Sequence, residues 1–317
     1  MDNLKKMQLQ LDDALKLLDE SPFSVSAGVE KFNTSKNLQL DDTKSLLERC
    51  EKAIHQSAYD SKPTLRVIHH MACSGGTLVS KCLAALPNVF LLSELHPAST
   101  LHMGGEKPKF SPADVITLSR YANVPEADSL AWKIFVDNIK TTNKHIASFG
   151  GHLVIREHTH SDFCVGESFT KHSSIVENLS NEFNVLRVVT LRNPIDSYLS
   201  LLNNNWEHFE PKGFNEYCKR VDTFLSGYKL EQIFRYEDFV ENPSENVHKI
   251  TQALNLPFSD GFIDIFDICK VTGDSGRGGS SIAKRERREI SSPLLQEIKS
   301  SEYFKKIAKE FNYKMDV

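Results

Sequence analysis

The stretch RVIHHMACSGGTLVSKCLAALPNVFLLSE, residues 66–94, decides how the chain is read. It runs from an apolar strand-like segment through a turn holding Gly75 and Gly76, then a helical pattern, then a short apolar run that ends in Glu94. A strand that passes through such a turn into a helix makes an anion site. The first N–H groups of the helix lack intrahelical acceptors, and the helix dipole favours negative charge there. Ser74, Gly75, Gly76 and Thr77 place two residues without Cβ between two hydroxyls, as a phosphate-cradling loop requires. The expectation is a phosphate-bearing ligand near residues 73–78.

The loop differs from that of the common nucleoside triphosphatases. Their G-x-x-x-x-G-K-[ST] pattern sets a Lys directly before the hydroxyl residue, where it reaches the β and γ phosphates. Gly76 holds that place here, and the nearest Lys is Lys81, about one helical turn later. A smaller, diphosphate-like group suits such a loop better than a triphosphate to be hydrolysed.

A second strand-to-helix unit is NVLRVVTLRNPIDSYLSLL, residues 184–202. Val185, Leu186, Val188, Val189 and Leu191 are apolar enough for a central parallel strand. Asn193 suits an N-cap, Pro194 suits the first helical position, and Asp196 complements the dipole. Arg192 stands at the carboxyl end of the strand, the edge along which open α/β sheets bind ligands. Ser200 follows on the helix.

Together the two segments resemble the sulfotransferase family, whose donor is 3′-phosphoadenosine 5′-phosphosulfate (PAPS). That family binds the 5′-phosphosulfate with a P-[KR]-S-G-[TS]-T loop and the 3′-phosphate with R-N-P-x-D-x-x-x-S. The second motif is complete here, from Arg192-Asn193-Pro194-Ile195-Asp196 to Ser200; the first is present as Cys73-Ser74-Gly75-Gly76-Thr77. Arg235-Tyr236-Glu237-Asp238-Phe239 with Asn242-Pro243 is similar to the family's R/K-Y-E-D-L…N/D-P segment. TGDSGRGG, residues 272–279, stands where the family places a glycine-rich loop that closes over the donor.

This resemblance covers about residues 65–290. It implies a P-loop-type three-layer α/β/α fold with a central parallel sheet, PAPS as donor, 3′,5′-ADP as product and no metal. The donor site it implies comprises Cys73, Ser74, Gly75, Gly76, Thr77, Leu78, Arg192, Ser200, Tyr236, Gly276 and Arg277. The family's basic loop residue, which polarises the bridging oxygen of the donor, falls on Cys73, a thiol. Lys81 or Arg277 is then the replacement cation. Leu78 stands where an aromatic often follows the loop, so adenine stacks elsewhere.

Sulfuryl transfer is in-line displacement, driven by positioning and charge stabilisation, and needs a base for the acceptor's proton. Glu94, at the end of NVFLLSE, is the first candidate and resembles the acid after this strand in the protein-tyrosine branch of the family. His158, in VIREHTHSDF (residues 154–163), is the second. A His base suits neutral pH and is the choice of cytosolic members. The two remain open at this point. His158 and His160 with Asp162 can also be read as metal ligands, but these three do not make a complete four-ligand set. Lys284, Arg285, Arg287 and Arg288 read either as a phosphate clamp or as a solvated helix face balanced by Glu286 and Glu289.

The chain has 317 residues, 40% hydrophobic and 25% charged, with net charge −4. That supports one large α/β domain, residues 61–317, with an N-terminal helical appendage, residues 1–60. A negative chain without an aromatic-interleaved basic stripe argues against nucleic acid as partner. Six cysteines without paired spacing suit a reducing cytosol. No run approaches the ~20 apolar residues of a membrane span, and MDNLKKMQLQLDD is too acidic and interrupted for a signal peptide. The expected location is the cytoplasm. Leu4, Met7, Leu11, Leu15 and Leu18 form a stripe that either packs on the main domain or pairs two copies as a homodimer. Residues 96–182 carry no donor motif, so they are expected to build the pocket for a small-molecule, carbohydrate or peptide hydroxyl. Two other readings stay open: an ATP-dependent small-molecule kinase with Glu94 or Asp196 on magnesium, and a catalytically silent nucleotide-binding scaffold.

Overall fold

The computed structural model describes residues 62–103, 110–273 and 281–315. The expectations placed on residues 1–60, the homodimer among them, and on Gly276 and Arg277 lie outside the described residues. The chain starts with β1 (Thr64–His70), α1 (Gly76–Ala84) and β2 (Val89–Leu95), followed by α2 (Val115–Tyr121) and α3 (Ala127–Ser148). Next come β3 (His152–Glu157), α4 (His160–Phe163), β4 (Val165–Gly166), α5 (Ser174–Leu179) and β5 (Asn184–Leu191). Then follow α6 (Pro194–Asn203), β6 (His208–Phe209), α7 (Phe214–Leu225), β7 (Ile233–Arg235), α8 (Tyr236–Glu241) and α9 (Pro243–Leu254). The last helices are α10 (Phe262–Ile265), α11 (Ser292–Ser300) and α12 (Glu302–Glu310).

Five strands form one parallel sheet in the order β2-β3-β1-β5-β7. Side chains alternate across it, as a period of two demands. Ile68, Val154 and Val188 pack on one face with Val79, Leu83, Phe239, Val247 and Ile250 from α1, α8 and α9. Leu65, Val67, Leu153 and Ile155 pack on the other with Phe135, Ile139, Ile175 and Leu179 from α3 and α5. With both faces covered, the strands read as continuous apolar runs. The expected three-layer α/β/α architecture is therefore present. Buried Arg66 on β1 sends its guanidinium to the carbonyls of Leu254 and Asn255 (2.8 and 2.9 Å), closing the end of α9, where last-turn carbonyls lack intrahelical donors.

The register decides where the site lies. His70 pairs with Thr190 and Ile68 with Arg156, so the turn after β1, the turn after β5 and the end of β3 emerge side by side. Asn193 caps α6 by accepting from Ile195 N–H at 3.0 Å, with Pro194 following, as its sequence indicates.

Helices α11 and α12 are separated at Ser301, whose hydroxyl caps α12 by accepting from Phe304 N–H. Between β3 and β5 the chain forms α4, β4 and α5, and β4 pairs in parallel with β6. That pair is tied by Arg220, fully buried, which donates to the carbonyls of Gly166 (3.0 Å) and Glu210 (3.1 Å) and to the Glu216 carboxylate (2.9 Å).

Candidate active site

The turn between β1 and α1 is built on left-handed backbone at Cys73 (φ 65) and Gly75 (φ 86). A Cβ at Gly75 would collide with the Tyr236 ring and one at Gly76 with the His70 ring, so close approach requires both glycines, and at Gly75 the positive φ requires it as well. The amides of Gly75, Gly76 and Thr77 at the start of α1 have no acceptor among the described residues, as is usual for the first N–H groups of a helix. Ser74 differs from expectation. It is buried, its amide and hydroxyl both turn to the Met71 carbonyl (3.3 and 2.7 Å), and it braces the turn. The Thr77 hydroxyl donates to the Gly273 carbonyl at 3.1 Å.

Arg192 reaches this turn. Its Nη1 donates to the Cys73 carbonyl at 3.2 Å, and its guanidinium lies 5.4 Å from the centre of the Tyr236 ring. Glu237, next in that segment, accepts from Asn193 N–H at 2.9 Å and from the Tyr313 hydroxyl at 3.1 Å. One cavity of about 860 Å³ is lined by Cys73, Gly75, Gly76, Thr77, Leu78, Lys81, Glu94, His158, Arg192 and Tyr236. A smaller cavity of about 140 Å³ holds Ser200 with Arg288, and Arg192 and Arg285 line both. Arg288 donates to the Ser200 hydroxyl at 2.8 Å, whereas Arg287 forms an ion pair with Asp196 at 2.9 Å.

Strand β2 bulges between Leu92 and Leu95, and Glu94 sits there in the left-handed region (φ 59). Such backbone is uncommon for a residue with a Cβ and gathers at functional sites. The turn aims the carboxylate into the cavity. Oε2 lies 2.5 Å from His158 Nδ1 and Oε1 lies 2.5 Å from Arg156 Nη2. Burial alone raises the Glu94 carboxyl, but the hydrogen bond from His158, the proximity of His70 and the Arg156 charge outweigh it and hold it well below the usual carboxylate range. Nε2 of His158 makes no hydrogen bond among the described residues, and the residue lines the cavity.

Arg156 was not singled out by sequence. It is buried, and beyond Glu94 it donates to His70 Nε2 (2.9 Å), Ser93 Oγ (3.2 Å) and the Thr272 carbonyl (3.1 Å). A strand-end Arg in VIREHTH was its only sequence signal. His160 turns its Nε2 to His208 Nδ1 at 3.0 Å. Asp162 instead takes Ser174 N–H (2.8 Å) and His96 Nε2 (3.1 Å), so His158, His160 and Asp162 do not share one ligand point. Among the described residues, His96, Glu157 and Asp162 do bring ligand atoms within 4.8 Å of one another.

No family model and no curated protein sequence matches the chain. Among solved structures it is similar to the sulfotransferase domain from the Synechococcus PCC 7002 olefin synthase: TM-score 0.50, 16% identity, 80% of this chain and 96% of that one. It also matches the sulfotransferase domain from the curacin biosynthetic pathway (0.48, 17%, 80% and 99%). A third match is mouse sulfotransferase SULT7A1 complexed with PAP (0.40, 10%, 78% and 88%). The chain has the α/β fold of a sulfotransferase domain. Among the described residues, no helix is long and apolar enough to cross a membrane.

Proposed function

We propose that the chain is a cytoplasmic, PAPS-dependent sulfotransferase acting on a hydroxyl or amine of a small molecule, carbohydrate or peptide. One observation carries this reading: Arg192 Nη1 meets the Cys73 carbonyl at 3.2 Å across 119 positions of sequence. The two motif segments thus converge at one cavity, close enough to grip opposite ends of a single adenosine bisphosphate. The loop amides suit its 5′ end, and Arg192, Ser200 and Arg288 around the smaller cavity suit its 3′-phosphate.

His158 is the general base and Glu94 its orienting partner. A carboxyl held so low is a weak proton acceptor, so Glu94 stays ionised and takes the Nδ1–H of His158. That leaves the Nε2 lone pair for the acceptor's proton. With PAPS bound, the acceptor oxygen bonds to sulfur as the bond from sulfur to the bridging phosphate oxygen breaks, giving a sulfate ester and 3′,5′-ADP. Lys81 and Arg285 line the cavity and supply positive charge on the donor side. The kinase reading fits less well, because Glu94 is held by Arg156 and Asp196 by Arg287, so neither carboxylate is open to magnesium.

The test is calorimetric titration with 3′,5′-ADP. It is paired with transfer assays on sugars, phenols, tyrosyl peptides and amines, using labelled PAPS with chelator against labelled ATP with Mg²⁺. Binding and sulfuryl transfer are expected. Phosphoryl transfer from ATP, or no 3′,5′-ADP binding, overturns the reading; tight binding without transfer to any acceptor favours the silent scaffold.

A further inference from the structure

Two departures of the loop from the family pattern bear on its charge and hydrogen bonding: Cys73 in place of a basic residue and Gly76 in place of a hydroxyl residue. The second departure has a structural cause. The His70 ring occupies the space a Cβ at Gly76 would need, and Nδ1 is among the ring atoms closest to it. His70 ends β1, is 6% exposed and lines the cavity.

Its tautomer follows from its partner. Arg156 Nε donates to His70 Nε2 at 2.9 Å, and a guanidinium has only donors, so Nε2 accepts and the ring proton sits on Nδ1. Glu94 lies 3.8 Å from Nε2, too far to claim that nitrogen. The charged and titratable groups facing the ring are Arg156, Glu94 and His69. Burial first, then the Arg156 charge, lowers His70 to about 4, so the ring is neutral at neutral pH. The ring lays its face over Gly76, and its Nδ1–H makes no hydrogen bond among the described residues at the wall of the cavity; a neutral imidazole there is a fixed dipole that needs no counter-ion.

We propose, on the sulfotransferase reading, that His70 is a catalytic residue. Its Nδ1–H hydrogen-bonds the donor's phosphosulfate and stands in for the side chains that the loop pattern places at 73 and 76. A donor aimed at the oxygen where charge develops lowers the barrier without itself changing protonation state.

The experiment is 15N NMR of histidine-labelled protein titrated with 3′,5′-ADP, together with PAPS turnover by His70→Phe, His70→Asn and His70→Gly/Gly76→Ser. We expect a His70 resonance of the Nδ1–H tautomer that shifts on binding. In His70→Phe we expect a kcat loss on the order of 10²-fold with a smaller change in 3′,5′-ADP affinity. His70→Asn and the double variant should recover most of the turnover, since each returns a donor to that place. A His70 signal unmoved by bound 3′,5′-ADP, or full turnover by His70→Phe, overturns the proposal and leaves the sulfotransferase reading intact. Failure of 3′,5′-ADP to bind at all overturns both.

Discussion

Glu94 and His158 share a hydrogen bond of 2.5 Å between Oε2 and Nδ1, although 64 positions separate them in sequence. Sequence offers them as rival bases; the fold makes them one unit, in which the carboxylate sets the tautomer and the imidazole faces the cavity.

This pairing predicts unequal costs. His158→Asn should lower kcat by about 10²- to 10⁴-fold, the range for removing a general base. Glu94→Gln should cost less, since the imidazole remains. Neither change should alter 3′,5′-ADP binding much, as read by calorimetry. A larger kcat loss from Glu94→Gln than from His158→Asn would reverse the two roles.

Neighbouring arginines in the late basic segment should separate cleanly. Arg288→Ala should weaken 3′,5′-ADP binding by about 1.5–3 kcal/mol, the worth of a charged hydrogen bond to a phosphate. Arg287, part-exposed and paired with Asp196, should cost no more than about 1 kcal/mol. Equal losses in the two variants would count against a phosphate at Ser200.

Gly75→Ala should abolish nucleotide binding and destabilise the fold by more than about 1 kcal/mol, because φ is +86 and the new Cβ meets the Tyr236 ring. Gly150→Ala is the control: its φ is +71 but its Cβ would enter open space, so only the backbone strain of about 1 kcal/mol should appear. Urea unfolding of both variants makes the comparison.

Two buried histidines predict loss of stability in mild acid. Burial lowers His70 from 6.5 to about 4 and His160 from 6.5 to about 3. As pH falls below 6.5 the unfolded chain takes up these protons first. The stabilisation, complete above 6.5, therefore declines toward pH 4 and below. Unfolding midpoints at pH 7.5, 6 and 5, values chosen to bracket that window, should fall stepwise, and less steeply in His160→Phe. A flat profile would mean that these rings are not held neutral.

Much of this was readable beforehand, for physical reasons. The apolar runs around Ile68 and Val188 can only be parallel strands covered on both faces, and Asn193-Pro194 can hardly be anything but a helix start. Parallel order then sends Cys73 and Arg192 to one edge. What stayed hidden depends on tertiary neighbours. Arg287 and Arg288 are chemically alike, and only the fold turns one to Asp196 and the other to Ser200. Ser74 looked like a phosphate ligand, but a hydroxyl in a tight turn can satisfy a nearby carbonyl instead. The left-handed backbone at Glu94 leaves no compositional trace, since glutamate is a rare occupant of that conformation.

Arg156 gives the architecture a single point of calibration. One flat group touches the loop-side ring His70, the carboxylate behind the base, and the Thr272 carbonyl of the segment arriving from the far end of the chain. A lysine there would present its three donors from a single nitrogen, without the planar fork that spaces these contacts. The two halves of the pocket are thus gauged against each other by a fixed template rather than by separate fits. On the proposed reading, the placement of the donor side relative to the acceptor side then rests on that one side chain.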